Sequence, residues 1–153
     1  MSRSLSGQIV SLNLNVGHRQ PLDFVENAEF VAGMGIEGDR HATDREERTG
    51  YQVLLMERET LDALELSIGD VRENVTTSGI ELSALRAGQR LAIGERVVLR
   101  ITKPCAPCSR MDELRPGLQR ELEGRRGMLA SVEHGGSVAV GDTVRVIEAA
   151  QPG

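Results

Sequence analysis

Near the start of the chain Val10, Leu12, Leu14 and Val16 alternate with Ser11, Asn13 and Asn15. That period of two predicts a strand with one buried face. A second strand is predicted over Val25 to Phe30. It leads into Gly33-Met34-Gly35-Ile36-Glu37-Gly38, whose glycines mark a loop with unusual backbone angles. Tyr51 to Met56 reads as one apolar run, suited to a strand buried on both sides. A short helix is expected over Glu57 to Leu66, burying Leu61 and Leu64.

The second half is more plainly β. Arg90 to Ile93 and Arg96 to Thr102 flank Gly94-Glu95, a tight-hairpin signature. Met128 to Glu133 and Ser137 to Val140 flank Gly135-Gly136, and Thr143 to Glu148 follows Gly141-Asp142. Short strands punctuated by glycine turns predict a barrel or sandwich. Between Cys108 and Gly127 the pattern changes, with Leu118 and Leu122 on one face of a helical turn.

The 153 residues suit one domain, with its core over about residues 6–148 and frayed ends. A net charge of −5 leaves no basic surplus for sequence-independent nucleic-acid binding. Three aromatics (Phe24, Phe30 and Tyr51) are too few for a base-stacking platform. No apolar run approaches a membrane span, and the first residues lack a signal-peptide core. A soluble, cytoplasmic protein is expected.

Three segments could carry chemistry. Lys103-Pro104-Cys105-Ala106-Pro107-Cys108 follows a β-branched strand, where a sheet edge can present a nucleophile. Lys103 and Arg110 lie close by, and cations or a helix start beyond Cys108 would favour the reactive thiolate. A zinc site needs four ligands and no second Cys-x-x-Cys exists; His41 and His134 would complete a Cys2His2 set, but neither falls at finger spacing. A thioredoxin-like motif would need a βαβ setting that the pattern does not supply. Gly35-Ile36-Glu37-Gly38-Asp39-Arg40-His41 places an acid, a permanent cation and a titratable base on one glycine loop, and an arginine fork suits phosphate or carboxylate. It lacks the lysine and hydroxyl of a Walker loop. Glu73-Asn74-Val75-Thr76-Thr77-Ser78-Gly79 offers neutral donors and one acid, and read alone it is also an ordinary turn.

Taken together, these segments resemble the MOSC domain found at the C-terminus of molybdenum cofactor sulfurases. The matching text is Gly35 to His41, Gln52-Val53-Leu54-Leu55, Glu73-Asn74-Val75-Thr76-Thr77-x-Gly79, and Pro107-Cys108 with Pro116-Gly117-Leu118. Gly124-Arg125-Arg126-Gly127 and Gly135-Gly136-x-Val138-x-x-Gly141-Asp142 complete it. The likeness runs from about residue 6 to residue 148.

The resemblance implies a mainly β, barrel-like fold with a few short helices. It also implies a role in molybdenum-cofactor or sulfur chemistry, with one family cysteine carrying sulfur as a persulfide. Cys108 occupies that position, with Cys105 as a second catalytic thiol. Asp39, Arg40, His41, Arg72, Glu73, Asn74 and Thr76 are the expected cofactor-binding residues. The expected partners are a sulfur donor such as a cysteine desulfurase and a molybdoenzyme or electron-transfer protein. The alternatives are a molybdenum-dependent reductase of N-hydroxylated compounds, in which Cys108 would ligate the metal, and a non-catalytic binding module. Pyridoxal phosphate is not expected, because it needs a lysine Schiff base, Lys103 is the only lysine, and the sulfurases' aminotransferase-like domain is missing from this chain. Relatives commonly carry glycine where this chain has Arg72, so a positive φ there would strain the arginine.

Overall fold

The computed structural model describes residues 5–17, 20–106, 111–123, 125 and 127–147. Its strands are β1 (Ser6–Leu14), β2 (Asp23–Val25), β3 (Asn27–Val31), β4 (Gly35–Ile36), β5 (Val53–Glu57), β6 (Val75–Ser78), β7 (Arg90–Ile93), β8 (Val97–Pro104), β9 (Met128–His134), β10 (Gly136–Ala139) and β11 (Thr143–Ile147). Helices α1 (Arg58–Ala63), α2 (Met111–Leu114) and α3 (Leu118–Glu121) are one to two turns long. The large sheet runs β11-β7-β8-β9-β5-β6-β1-β2, and a further β11–β1 pairing closes seven of its strands into a barrel. Closure removes the exposed edges that an open sheet of this size would present. Among the described residues only β5 and β6 pair in parallel, and the other ladders are antiparallel. A second sheet, β10-β3-β4, lies beside the barrel.

Strand β5 explains its own composition. Val53 and Leu55 point into the barrel core, whereas Met56 joins a second cluster with Leu61, Leu64, Leu118 and Leu122 beneath the helices. A strand covered on both faces reads as a continuous apolar run. The predicted hairpin is present, with Ile93 opposite Val97 across Gly94 at φ 63.

Strand β1 departs from its predicted alternation. Ile9 and Leu12, not Val10 and Leu12, are the buried pair, and Val16 is 54% exposed. The register against β6 shifts between Ile9 and Ser11; the extra residue reverses which positions face inward. Asn13 and Asn15 are buried although polar. The segment over Val25 to Phe30 divides into β2 and β3, which join different sheets. At the turn of Gly135 and Gly136 the chain changes sheets, since β10 pairs with β3 while β9 stays in the barrel. Among the described residues no helix is long and apolar enough to cross a membrane.

Candidate functional site

The site is built around Asn74. Its side-chain oxygen accepts the Leu54 amide at 2.9 Å, and its amide nitrogen donates to the Asn13 carbonyl at 3.1 Å and to Asp39 Oδ1 at 2.9 Å. One buried side chain therefore ties β1, β5 and the loop after β4 together. Asp39 takes a second bond on Oδ1 from the Asn15 amide at 2.7 Å, and its Oδ2 accepts the His41 amide at 3.0 Å. The His41 ring nitrogen Nδ1 lies 3.4 Å from that same oxygen. Burial pushes the Asp39 carboxyl up, but bonds from the His41 side chain and from the Asn15 and His41 amides outweigh it, so the group sits below the ordinary carboxylate value. Asp39 is thus an anionic anchor behind the wall that presents Arg40 and His41. Gln52, fully buried, adds a strut: its Nε2 donates to the Thr43 carbonyl at 2.9 Å and its Oε1 accepts the Val132 amide at 3.0 Å.

Arg72 stands in the left-handed region at φ 66. The turn thus keeps the conformation a glycine would favour, at an expected cost of about 1–2 kcal/mol. Its guanidinium donates to the Gln20 carbonyl at 2.6 Å and more weakly to that of Gly17 at 3.4 Å. Asn15 donates in turn to the Arg72 carbonyl at 3.3 Å.

These residues border a cavity of about 450 Å³. Arg40, Arg72 and Lys103 supply its charge, His41 lies on the same lining, and among the described residues that lining contains no carboxylate. Leu54 and Leu129 form an apolar floor, and the Lys103 ammonium bonds the Tyr51 hydroxyl at the rim. A bulge in β8 aims Lys103 here. The register against β9 shifts between Ile101 and Lys103, so Lys103 falls opposite the cavity residue Leu129 while Ile101 stays inward opposite Ala130. Among the described residues the charged groups on this wall are all cationic in a protein of net charge −5, an arrangement whose field attracts anions.

Cys105 follows directly, partly buried, on the cavity wall, with its amide donating to the Gly127 carbonyl at 2.9 Å. Cys108 lies outside the described residues. Glu73 and Thr76 do not line the cavity. Thr76 donates to Glu73 Oε2 at 2.8 Å, the Gly69 amide donates to the same oxygen at 2.9 Å, and both side chains are fully buried. Burial raises the Glu73 carboxyl, hydrogen bonds only partly offset this, and Oε1 has no protein partner. Asn74 touches the cavity, but both amide hydrogens are engaged inside the protein, so it shapes the wall. Among the described residues no three His, Cys, Asp or Glu side chains cluster as metal ligands do. Sequence reading missed Asn15, Tyr51, Leu54 and Leu129 as lining residues; the signal for Asn15 was a polar residue on a strand whose other face was already apolar.

Comparison with known proteins adds the family. The MOSC domain model matches residues 39–145. The YuaD protein from Bacillus subtilis superposes with TM-score 0.77 at 22% identity, covering 92% of this chain and 95% of that one. YiiM from Geobacillus stearothermophilus gives 0.74 at 17% identity (93% and 75% covered), and YiiM from Escherichia coli 0.69 at 16% (95% and 72%). No curated protein matches the sequence.

Proposed function

Because the chain belongs to the MOSC domain family, related to molybdenum-cofactor-binding and sulfurase C-terminal domains, we propose that it is a sulfur carrier acting beside a bound pterin cofactor. The observation that carries this reading is a cationic cavity with a cysteine on its wall. The donor set fits a phosphate-bearing pterin. The cationic side chains of Arg40, Arg72 and Lys103 match phosphate oxygens, and Leu54 and Leu129 suit a flat ring. A metal centre bound there would be the destination of the sulfur.

Cys108, by its family position, is the acceptor. Its thiolate attacks the outer sulfur of a donor persulfide; the donor's S–S bond breaks, the donor leaves as a thiolate, and a cysteine persulfide remains on this chain. Lys103 stabilises negative charge at the start of this segment, and the bulge in β8 holds it there. A cysteine desulfurase is the donor class that fits, and a molybdoenzyme the recipient.

Incubation with a persulfide donor followed by intact mass measurement is expected to show one added sulfur that reduction removes. Peptide mapping is expected to place it on Cys108. No adduct under conditions that load a control carrier contradicts the proposal.

A further inference from the structure

The end of β8 separates two cavities. Lys103, Pro104, Cys105 and Ala106 border the cationic cavity on one side and a second one, of about 620 Å³, on the other. The second differs in charge. Among the described residues, Glu57 and Glu123 face it with Arg125, and Lys103 stands on the shared wall, so its lining carries both signs. Hydroxyls of Thr60 and Ser83 add neutral donors. Glu57 already accepts the Ser83 amide on Oε2 at 3.1 Å; burial, with Glu59 and Glu81 nearby, raises its carboxyl, and a cation beside it would offset that.

An anion fits the first cavity; a ligand with charges of both signs fits the second. We propose that the second cavity binds a low-mass zwitterionic thiol, with its carboxylate toward Arg125, its ammonium toward Glu57 and Glu123, and its sulfur toward Cys105. The volume suits a small peptide better than a single amino acid. The consequence for sulfur transfer rests on the carrier reading: a low-mass persulfide bound on this side of the strand is a second class of donor beside a desulfurase, and the displacement described above loads Cys108 while the cofactor side stays free.

S-Methylglutathione, which is zwitterionic and cannot exchange sulfur, separates binding from chemistry. Calorimetric titration is expected to show saturable binding, weakened about tenfold in Arg125→Ala and less in Glu123→Ala. It is expected to be unchanged in Arg40→Ala, which alters only the first cavity. In a Cys108→Ser background the ligand is expected to slow alkylation of Cys105. Equal affinity in Arg125→Ala and the parent, or weakening in Arg40→Ala instead, overturns the proposal. Glutathione persulfide then tests the carrier reading separately. If S-methylglutathione binds as expected and glutathione persulfide loads no sulfur, the site stands and the low-mass donor route falls; absence of loading from a cysteine desulfurase as well brings down the carrier reading.

Discussion

Replacing Arg72 by glycine and by alanine separates its two roles. Both substitutions remove the guanidinium and its bonds to the Gln20 and Gly17 carbonyls. They differ in the backbone alone, because at φ 66 alanine keeps the left-handed strain and glycine relieves it. The lost bonds are mostly exposed and amount to about 0.5–1.5 kcal/mol; relief of strain returns about 1–2 kcal/mol. Arg72→Gly is therefore expected near parental stability, with Arg72→Ala about 1 kcal/mol below it. For a chain of this length that corresponds to about 2–4 °C in Tm, which thermal unfolding followed by circular dichroism resolves. Both variants are expected to bind inorganic phosphate or pyrophosphate about tenfold more weakly, because the same cation leaves the cavity wall. Equal stability of the two variants would refute the backbone half of the reasoning. Unchanged anion affinity in both would refute the electrostatic half.

Asn74→Ala leaves the Leu54 amide, the Asn13 carbonyl and Asp39 Oδ1 each short of a buried partner, so a loss of at least about 2 kcal/mol is expected in urea unfolding; a loss below half that value would show that the network relaxes around the gap. Glu73 holds its proton to higher pH in the folded chain than its ordinary value of 4.5 allows. Its contribution is thus fully present below that value and is lost as pH rises through its raised folded value. Urea midpoints of Glu73→Gln are expected to lack this decline, and parallel pH curves for variant and parent would contradict it. Asp39 works in the opposite direction: its lowered carboxyl stabilises the fold above pH 3.8, and that stability is lost as pH falls through its folded value. Asp39→Asn is expected to flatten the acid limb of the same curve; an acid limb as steep as the parent's would contradict this. For the thiols, attack of Cys105 on a Cys108 persulfide forms the Cys105–Cys108 disulfide and expels hydrosulfide. Cys105→Ser is therefore expected to retain persulfide longer than the parent, while Cys108→Ser is expected not to load; the reverse pattern, read by intact mass, would exchange the two roles.

The sequence carried the barrel where local pattern and tertiary burial agree. The apolar run predicted over Tyr51 to Met56 appears as a strand from Val53, with Tyr51 left in the turn before it, and the hairpin at Gly94 and the paired Leu118 and Leu122 appear where their spacing predicts. It misled where a bulge intervenes. Val10 looks like a core residue by alternation, but one inserted position at β1 hands that place to Ile9. Strand β6 was hidden for another reason. Thr76 and Thr77 read as turn residues, and only parallel pairing with β5 and barrel closure make them fully buried. The strain at Arg72 was legible because a glycine preference is a statement about φ. The division of labour at the site was not: Asn74 and Asp39 carry the same polar groups whether they meet a ligand or each other, and only the fold reveals that they meet each other.

The central claim, that the cationic cavity holds an anionic pterin beside a sulfur-bearing cysteine, is tested most directly by native mass spectrometry of protein isolated from its own host. The parent is expected to retain a phosphate-bearing pterin together with one reducible sulfur, and a variant combining Arg40→Ala with Arg72→Ala is expected to lose the pterin while keeping the sulfur. A parent carrying neither, or a double variant that retains the pterin in full, would contradict the account.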